Sequence, residues 1–171
     1  MTIESLGILG AGTMGSGIAI ATAAAGLPVV LVDASEAQLD RALATAKTFY
    51  DRAVGKGRMK AEDAEAALSA ITGADDMGAL GDCQLVIEAV FEDFDLKAKI
   101  FGQLSGVVPE EAIVATNTSC LRVSDLARHM ARPERFLGLH YFSPAQINPL
   151  VEVVKGEATD EVTFEAAMAF V

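Results

Sequence analysis

Short apolar runs alternate along the chain with longer stretches whose apolar positions recur every three or four residues. Ile3 to Leu9 reads as a first strand, Thr13 to Ala25 as an Ala-rich helix, Val29 to Val32 as a second strand, and Glu36 opens the next helix. Leu85 to Glu88, Ile113 to Ala115, Phe136 to His140 and Leu150 to Val154 are further strand candidates, separated by helical patterns near Leu96 to Leu104 and Ser124 to Met130. Near-continuous apolar strands alternating with helices predict an α/β fold, a mostly parallel sheet covered on both faces. Between the second strand and Ile71 the pattern predicts an inserted helical hairpin, Glu36 to Val54 and Ala61 to Ala70, joined by Gly55-Lys-Gly-Arg-Met-Lys60.

The last segment reads as a helix capped by Thr159, with Asp160 and Glu161 in its first turn and an apolar stripe of Phe164, Ala167, Met168 and Val171. No Gly, Asn, Pro or basic last turn closes it. This predicts a helix that packs against something further on, and a single domain, 1–171, truncated from a longer parent. A helix that docks on its own sheet is the alternative.

Composition narrows the classes. A 171-residue chain with 51% hydrophobic residues can bury one full core and is not disordered. A net charge of −11 repels a polyphosphate backbone, so nucleic acid is not expected as a partner. Cys83 and Cys120 have no zinc-site or disulfide spacing, so no metal is expected and a reducing, cytoplasmic compartment fits. The start lacks a basic n-region, and the run Ile18 to Val32, broken by Gly26 and Pro28, is too short to span a bilayer.

Gly10-Ala-Gly12-Thr13-Met14-Gly15 follows the first strand and opens the first helix, the context a dinucleotide fingerprint requires. Gly10 permits the tight turn, Gly12 lets backbone approach a pyrophosphate, and Gly15 lets helix and strand pack closely. The fold is therefore expected to be Rossmann-type and doubly wound. Asp33, at the end of the second strand, is placed to accept both ribose hydroxyls, which favours NAD over NADP.

His140 precedes Glu152 by twelve residues, with Pro144 and Pro149 between them for the turn. Period-two alternation puts Leu150, Glu152 and Val154 on one strand face, so the carboxylate is expected to be buried and to need a partner. A histidine folded back onto it would have its tautomer fixed and its other nitrogen free to take a proton, as a general base requires.

With these residues in view, the chain resembles the L-3-hydroxyacyl-CoA dehydrogenases, including 3-hydroxybutyryl-CoA dehydrogenase and the dehydrogenase part of multifunctional fatty-acid β-oxidation proteins. The resemblance covers residues 10–15, Val86-Ile-Glu-Ala-Val-Phe-Glu92 with Lys97, Ala115-Thr-Asn-Thr-Ser119, and the His140 to Glu152 segment. It implies NAD-dependent oxidation of an L-3-hydroxyacyl-CoA to the 3-oxoacyl-CoA. His140, Glu152 and Ser119 are the implied catalytic residues, and Glu92, Lys97 and Asn117 implied cofactor-side contacts that add to Thr13 and Met14. Ser143 stands where many members have Asn, a form similar to that of some multifunctional proteins. Lys56, Arg58 and Lys60, the densest positive charge in an acidic chain, are candidate contacts for the polyanionic CoA, with a solvated turn as the alternative. The resemblance also implies a helical C-terminal domain, absent here, through which the parent would form a homodimer. Two rival functions remain open: a β-hydroxyacid dehydrogenase acting on a non-CoA acid, and a non-catalytic NAD-binding module.

Overall fold

The computed structural model describes residues 2–171. Its chain runs β1 (Leu6–Leu9), α1 (Thr13–Ala24), β2 (Val29–Val32), α2 (Glu36–Gly55), α3 (Ala61–Ser69), β3 (Ile71–Ala74), β4 (Leu85–Glu88), α4 (Phe94–Leu104), β5 (Ile113–Thr116), α5 (Val123–Ala127), β6 (Phe136–Tyr141), β7 (Val151–Lys155) and α6 (Glu161–Phe170). The strands form one sheet in the order β3-β2-β1-β4-β5-β6-β7. Neighbours are parallel from β3 through β6, and β7 runs antiparallel to β6 at the edge. The order reverses between β1 and β4, which opens a crevice at their carboxyl ends, where open α/β sheets bind ligands.

Alternation along the strands divides two cores between the two faces. Leu6, Ile8, Leu85, Ile87, Ile113, Ala115, Leu137 and Leu139 pack with residues of α1, α2, α3 and α6. Leu9, Val86, Val114 and Phe136 pack on the other face against Phe101 and Leu104 of α4 and Leu126 of α5. Each fully buried large side chain contributes roughly 1.5–3 kcal/mol. The small residues of α1 leave it buried nearly all round, and α2 crosses close enough for the Tyr50 hydroxyl to donate to the Ile20 carbonyl at 2.8 Å.

The predicted sheet, its mostly parallel sense and the α2–α3 hairpin are all present. Three local expectations are corrected. Ile71–Ala74, not expected as a strand, pairs with β2, and Leu39 and Leu43 of α2 lie over it at Gly73. Thr159 does not cap the last helix. Its hydroxyl accepts from the Gly156 amide at 2.8 Å and donates to the Phe136 carbonyl at 2.6 Å, and Asp160 caps instead, accepting from the Thr163 amide at 2.7 Å. The face α6 turns inward is Thr163, Ala166 and Ala167, docked on the chain's own sheet, while Met168 and Val171 are exposed. No helix among the described residues is long and apolar enough to cross a membrane.

Candidate active site

The turn from β1 into α1 is set by its glycines. Gly10 has φ +108°, and a Cβ there would lie 2.6 Å from the Ala89 carbonyl oxygen. A Cβ at Gly15 would lie 1.8 Å from the Gly10 carbonyl oxygen, whereas one at Gly12 would meet nothing within 4 Å. The strand-helix junction is thus packed solid except at Gly12, where the backbone faces open space. No side chain caps α1, so the first-turn amides at Thr13, Met14 and Gly15 point outward without intrahelical acceptors, a ready site for phosphate.

Asp33 closes the other side of the crevice. One carboxylate oxygen accepts from the Ala11 amide at 2.8 Å and the other from the Ser35 amide at 2.9 Å, and each retains a lone pair for a further donor. A cleft of about 660 Å³ runs past Gly10, Gly12, Thr13, Met14 and Asp33 and is walled by Gln38, Met77, Phe91 and Leu96, none of which the sequence pattern singled out. Open glycine, uncapped helix and cleft-lining carboxylate fit a dinucleotide.

A second cleft adjoins it, sharing Met14, Ala89 and Val90, and is lined by Glu92, Asn117, Ser119, His140, Tyr141, Phe142 and Ser143. The expected residues therefore converge from four segments: α1, the β4–α4 turn, the β5–α5 loop and the end of β6. Asn117 joins two of them, its side-chain oxygen accepting from the Tyr141 amide at 2.9 Å.

His140 and Glu152 are cross-strand partners in the β6–β7 ladder, and His140 Nδ1 lies 2.8 Å from Glu152 Oε2. The pairing is as expected, but its cause is not. Glu152 is 56% exposed and His140 20% exposed, because β7 is the sheet edge: Val151 and Val153 pack toward the core, and Leu150, Glu152 and Val154 stay open. Register, not desolvation, brings the two together. The Phe142 ring, its centroid 4.5 Å from that of the imidazole, flanks the histidine, and with Nδ1 engaged by Glu152, Nε2 is the nitrogen left without a hydrogen-bond partner.

Beneath the second cleft, Glu92 and Lys97 join a cluster in which the sequence reading gave Glu88 and Thr116 no role. Glu88, fully buried at the end of β4, accepts from Lys97 Nζ at 2.5 Å, the Val90 amide at 2.8 Å and the Thr116 hydroxyl at 2.7 Å. Lys97 is 1% exposed and also reaches Glu92 at 3.1 Å. Lys97 lies at the floor of the cleft, which it helps to line. The signal was present in the sequence, since a carboxylate ending an apolar strand needs a buried cation.

Glu92 Oε1 accepts from the Thr118 hydroxyl, from the Ser119 amide at 3.1 Å and from Cys120 Sγ at 3.5 Å. Burial pushes the Glu92 carboxyl up, but the Thr118 hydroxyl and the Lys97 ammonium outweigh it and hold the group below the usual carboxylate range. Lys56, Arg58 and Lys60 are exposed on the α2–α3 turn and line neither cleft. A separate groove where α2 meets the β6–β7 loop brings together Arg41, Thr45, Thr48, Arg52 and Gln146. No trio of metal-ligating side chains gathers among the described residues.

A profile of the 3-hydroxyacyl-CoA dehydrogenase NAD-binding domain matches residues 5–171. A 3-hydroxybutyryl-CoA dehydrogenase of Bradyrhizobium diazoefficiens is 44% identical over 169 residues, covering 99% of this chain and 58% of that protein. The solved (S)-3-hydroxybutyryl-CoA dehydrogenase of Ralstonia eutropha is 41% identical at a TM-score of 0.96, over 98% of this chain and 59% of the other. A diketoreductase described as acting on dicarbonyl compounds is 34% identical at a TM-score of 0.87, over 99% of this chain and 61% of the other. The chain thus spans somewhat under two thirds of each of these three proteins. With a glycine turn, an uncapped helix and Asp33 arranged for a dinucleotide, and a sequence match across almost its whole length, the chain belongs to the 3-hydroxyacyl-CoA dehydrogenase family as its NAD-binding domain.

Proposed function

We propose that the chain serves the NAD-dependent oxidation of an L-3-hydroxyacyl-CoA to the 3-oxoacyl-CoA, with His140 as general base. The observation that carries this is the His140 to Glu152 pair, which engages Nδ1 and leaves Nε2 unpartnered on a residue lining the cleft that adjoins the dinucleotide turn. The Ser119 hydroxyl and His140 Nε2 hold the substrate's 3-oxygen, and Nε2 takes the hydroxyl proton. Glu152, on Nδ1, fixes the tautomer and stabilises the imidazolium that forms. Bound NAD supplies the hydride acceptor. Gly12 and the first-turn amides of α1 hold its pyrophosphate, Asp33 its adenosine ribose, and Asn117 and Glu92 border its nicotinamide end. Ser143 lies on the substrate side of the same cleft.

The thioester carrier is polyanionic, and two groups of cations favour it in a chain of net charge −11. Arg41 and Arg52 share a groove with Gln146, three residues beyond Ser143, and Lys56, Arg58 and Lys60 follow on the next turn of chain. The diketoreductase relative supports a second reading, a substrate without CoA. The two separate by NADH consumption with acetoacetyl-CoA against free acetoacetate, in this chain and in a fusion to the remaining residues of the Bradyrhizobium relative. The proposal expects at least about tenfold preference for the thioester, equivalent to a few charge-assisted contacts. Equal rates would favour the free acid, and NADH binding without turnover of either would favour a binding module.

A further inference from the structure

The carboxylate that holds the His140 imidazole, at 2.8 Å from Nδ1, is itself 56% exposed. Water competes for a contact this open, and exposed pairs do little to fix two mobile side chains in one geometry. A second restraint lies along the same stretch of chain. Leu137, Leu139 and Tyr141 alternate into the core shared with α1, α2, α3 and α6, which turns His140 to the opposite side of β6. Phe142 directly follows the strand, and its ring joins His140 there. The two ring centroids are 4.5 Å apart and the planes are tilted by 55°.

Core packing does not account for that ring. Phe142 is half-buried yet belongs to neither hydrophobic core, whereas Phe101 and Phe136 pair inside one of them. Phe142 instead lines the second cleft beside His140. We propose that Phe142 is a positioning residue for the proton transfer, acting through His140 by disfavouring rotamers that swing the imidazole away from Glu152; the proposal rests on the reading of His140 as general base. Glu152 determines which ring nitrogen carries the proton, and Phe142 keeps the ring where that contact forms. An aromatic pair at this separation contributes beyond the area it buries, which corresponds to roughly a twofold to tenfold change in the population of one ring position.

Phe142→Leu removes the ring and keeps an apolar side chain, with Phe142→Met as the substitute should the first not fold, and Phe142→Tyr puts the ring back. The chain has two histidines, and His129, exposed and lining neither cleft, serves as the internal reference. Imidazole nitrogen NMR of the ligand-free chain at about pH 8.5, roughly two units above the ordinary imidazole value, reports which ring nitrogen is protonated. Phe142→Leu is expected to lower the ratio of Nδ1-protonated to Nε2-protonated His140 by roughly twofold to tenfold. His129 is expected to stay as in the native chain, and Phe142→Tyr to restore the His140 ratio.

Kinetics separate a held base from a wall of the cleft. In the form of the protein that turns over acetoacetyl-CoA, Phe142→Leu is expected to lower kcat by a similar factor with KM within about twofold of native. The NMR readout needs no ligand and stands apart from the functional reading. A lowered ratio with native kcat would therefore uphold the hold on the ring and count against His140 as the base. A native ratio in the folded Leu variant, with or without a raised KM, would overturn the proposal. So would a lowered ratio that Phe142→Tyr fails to restore, and so would loss of folding in both the Leu and Met variants, which would assign the ring to the scaffold.

Discussion

Asp33 holds the Ala11 and Ser35 amides and lines the first cleft, so under the proposed function a single carboxylate would both shape the glycine turn and select the cofactor. Asp33→Ser is expected to raise the NADH Kd by about tenfold to a hundredfold, the range of charged hydrogen bonds, and to narrow the preference for NADH over NADPH. Fluorescence titration with both cofactors checks this, and an unchanged preference would count against it. Glu92 carries a pH signature whose sign follows from its lowered pKa. A carboxyl depressed in the folded state adds stability above its unfolded pKa, and that share is lost as pH falls through the folded value. Glu92→Gln is expected to lessen the decline in unfolding midpoint on acidification below the usual carboxylate range, measured by thermal melts across acid pH. At this scale the sequence disclosed partners better than surroundings. The His140 and Glu152 pairing was expected from burial of the carboxylate, and the pair forms although that burial does not hold, since alternation alone does not tell a covered face from the open face of an edge strand. Glu88 went unseen although a carboxylate ending an apolar strand calls for a buried cation, because nothing local marks which lysine and threonine supply its partners.

Elements with strong periodicity, β1, α1, β2 and the α2–α3 hairpin, were legible because each carries its own hydrophobic pattern and, at Gly10 to Gly15, its own turn chemistry. β3 was not, because Ile-Thr-Gly-Ala has no alternation of its own and is a strand only through pairing with β2 and cover from α2. The last helix was found, yet its cap and buried face were misplaced by one position, since Thr159 is drawn into the β6 connection. Two glycine substitutions in one loop should behave oppositely. Gly15→Ala drives a Cβ to 1.8 Å from the Gly10 carbonyl oxygen and is expected to cost about 3 kcal/mol or more in chemical denaturation. Gly12→Ala meets nothing within 4 Å and is expected to leave stability within about 0.5 kcal/mol while weakening NADH binding. Loss of stability at Gly12 with cofactor affinity retained would contradict the reading of that opening.

Across the whole molecule, one sheet order accounts for the site. The reversal between β1 and β4 opens the dinucleotide crevice, while β5 and β6 carry Asn117, Ser119 and His140 to the neighbouring cleft and the antiparallel β7 sets Glu152 against His140. The net charge of −11 makes the compact state self-repelling, so raising salt from about 10 mM to about 150 mM is expected to raise the thermal midpoint, and a lowered midpoint would contradict this. The central claim is that the pair on β6 and β7 performs proton transfer beside a cofactor held elsewhere. It is tested most directly by His140→Ala, assayed for NADH affinity and for acetoacetyl-CoA turnover in the form of the protein that turns over. The expected result is an NADH Kd within about twofold of native with turnover reduced by roughly a hundredfold to ten-thousandfold; turnover within about threefold of native would contradict it.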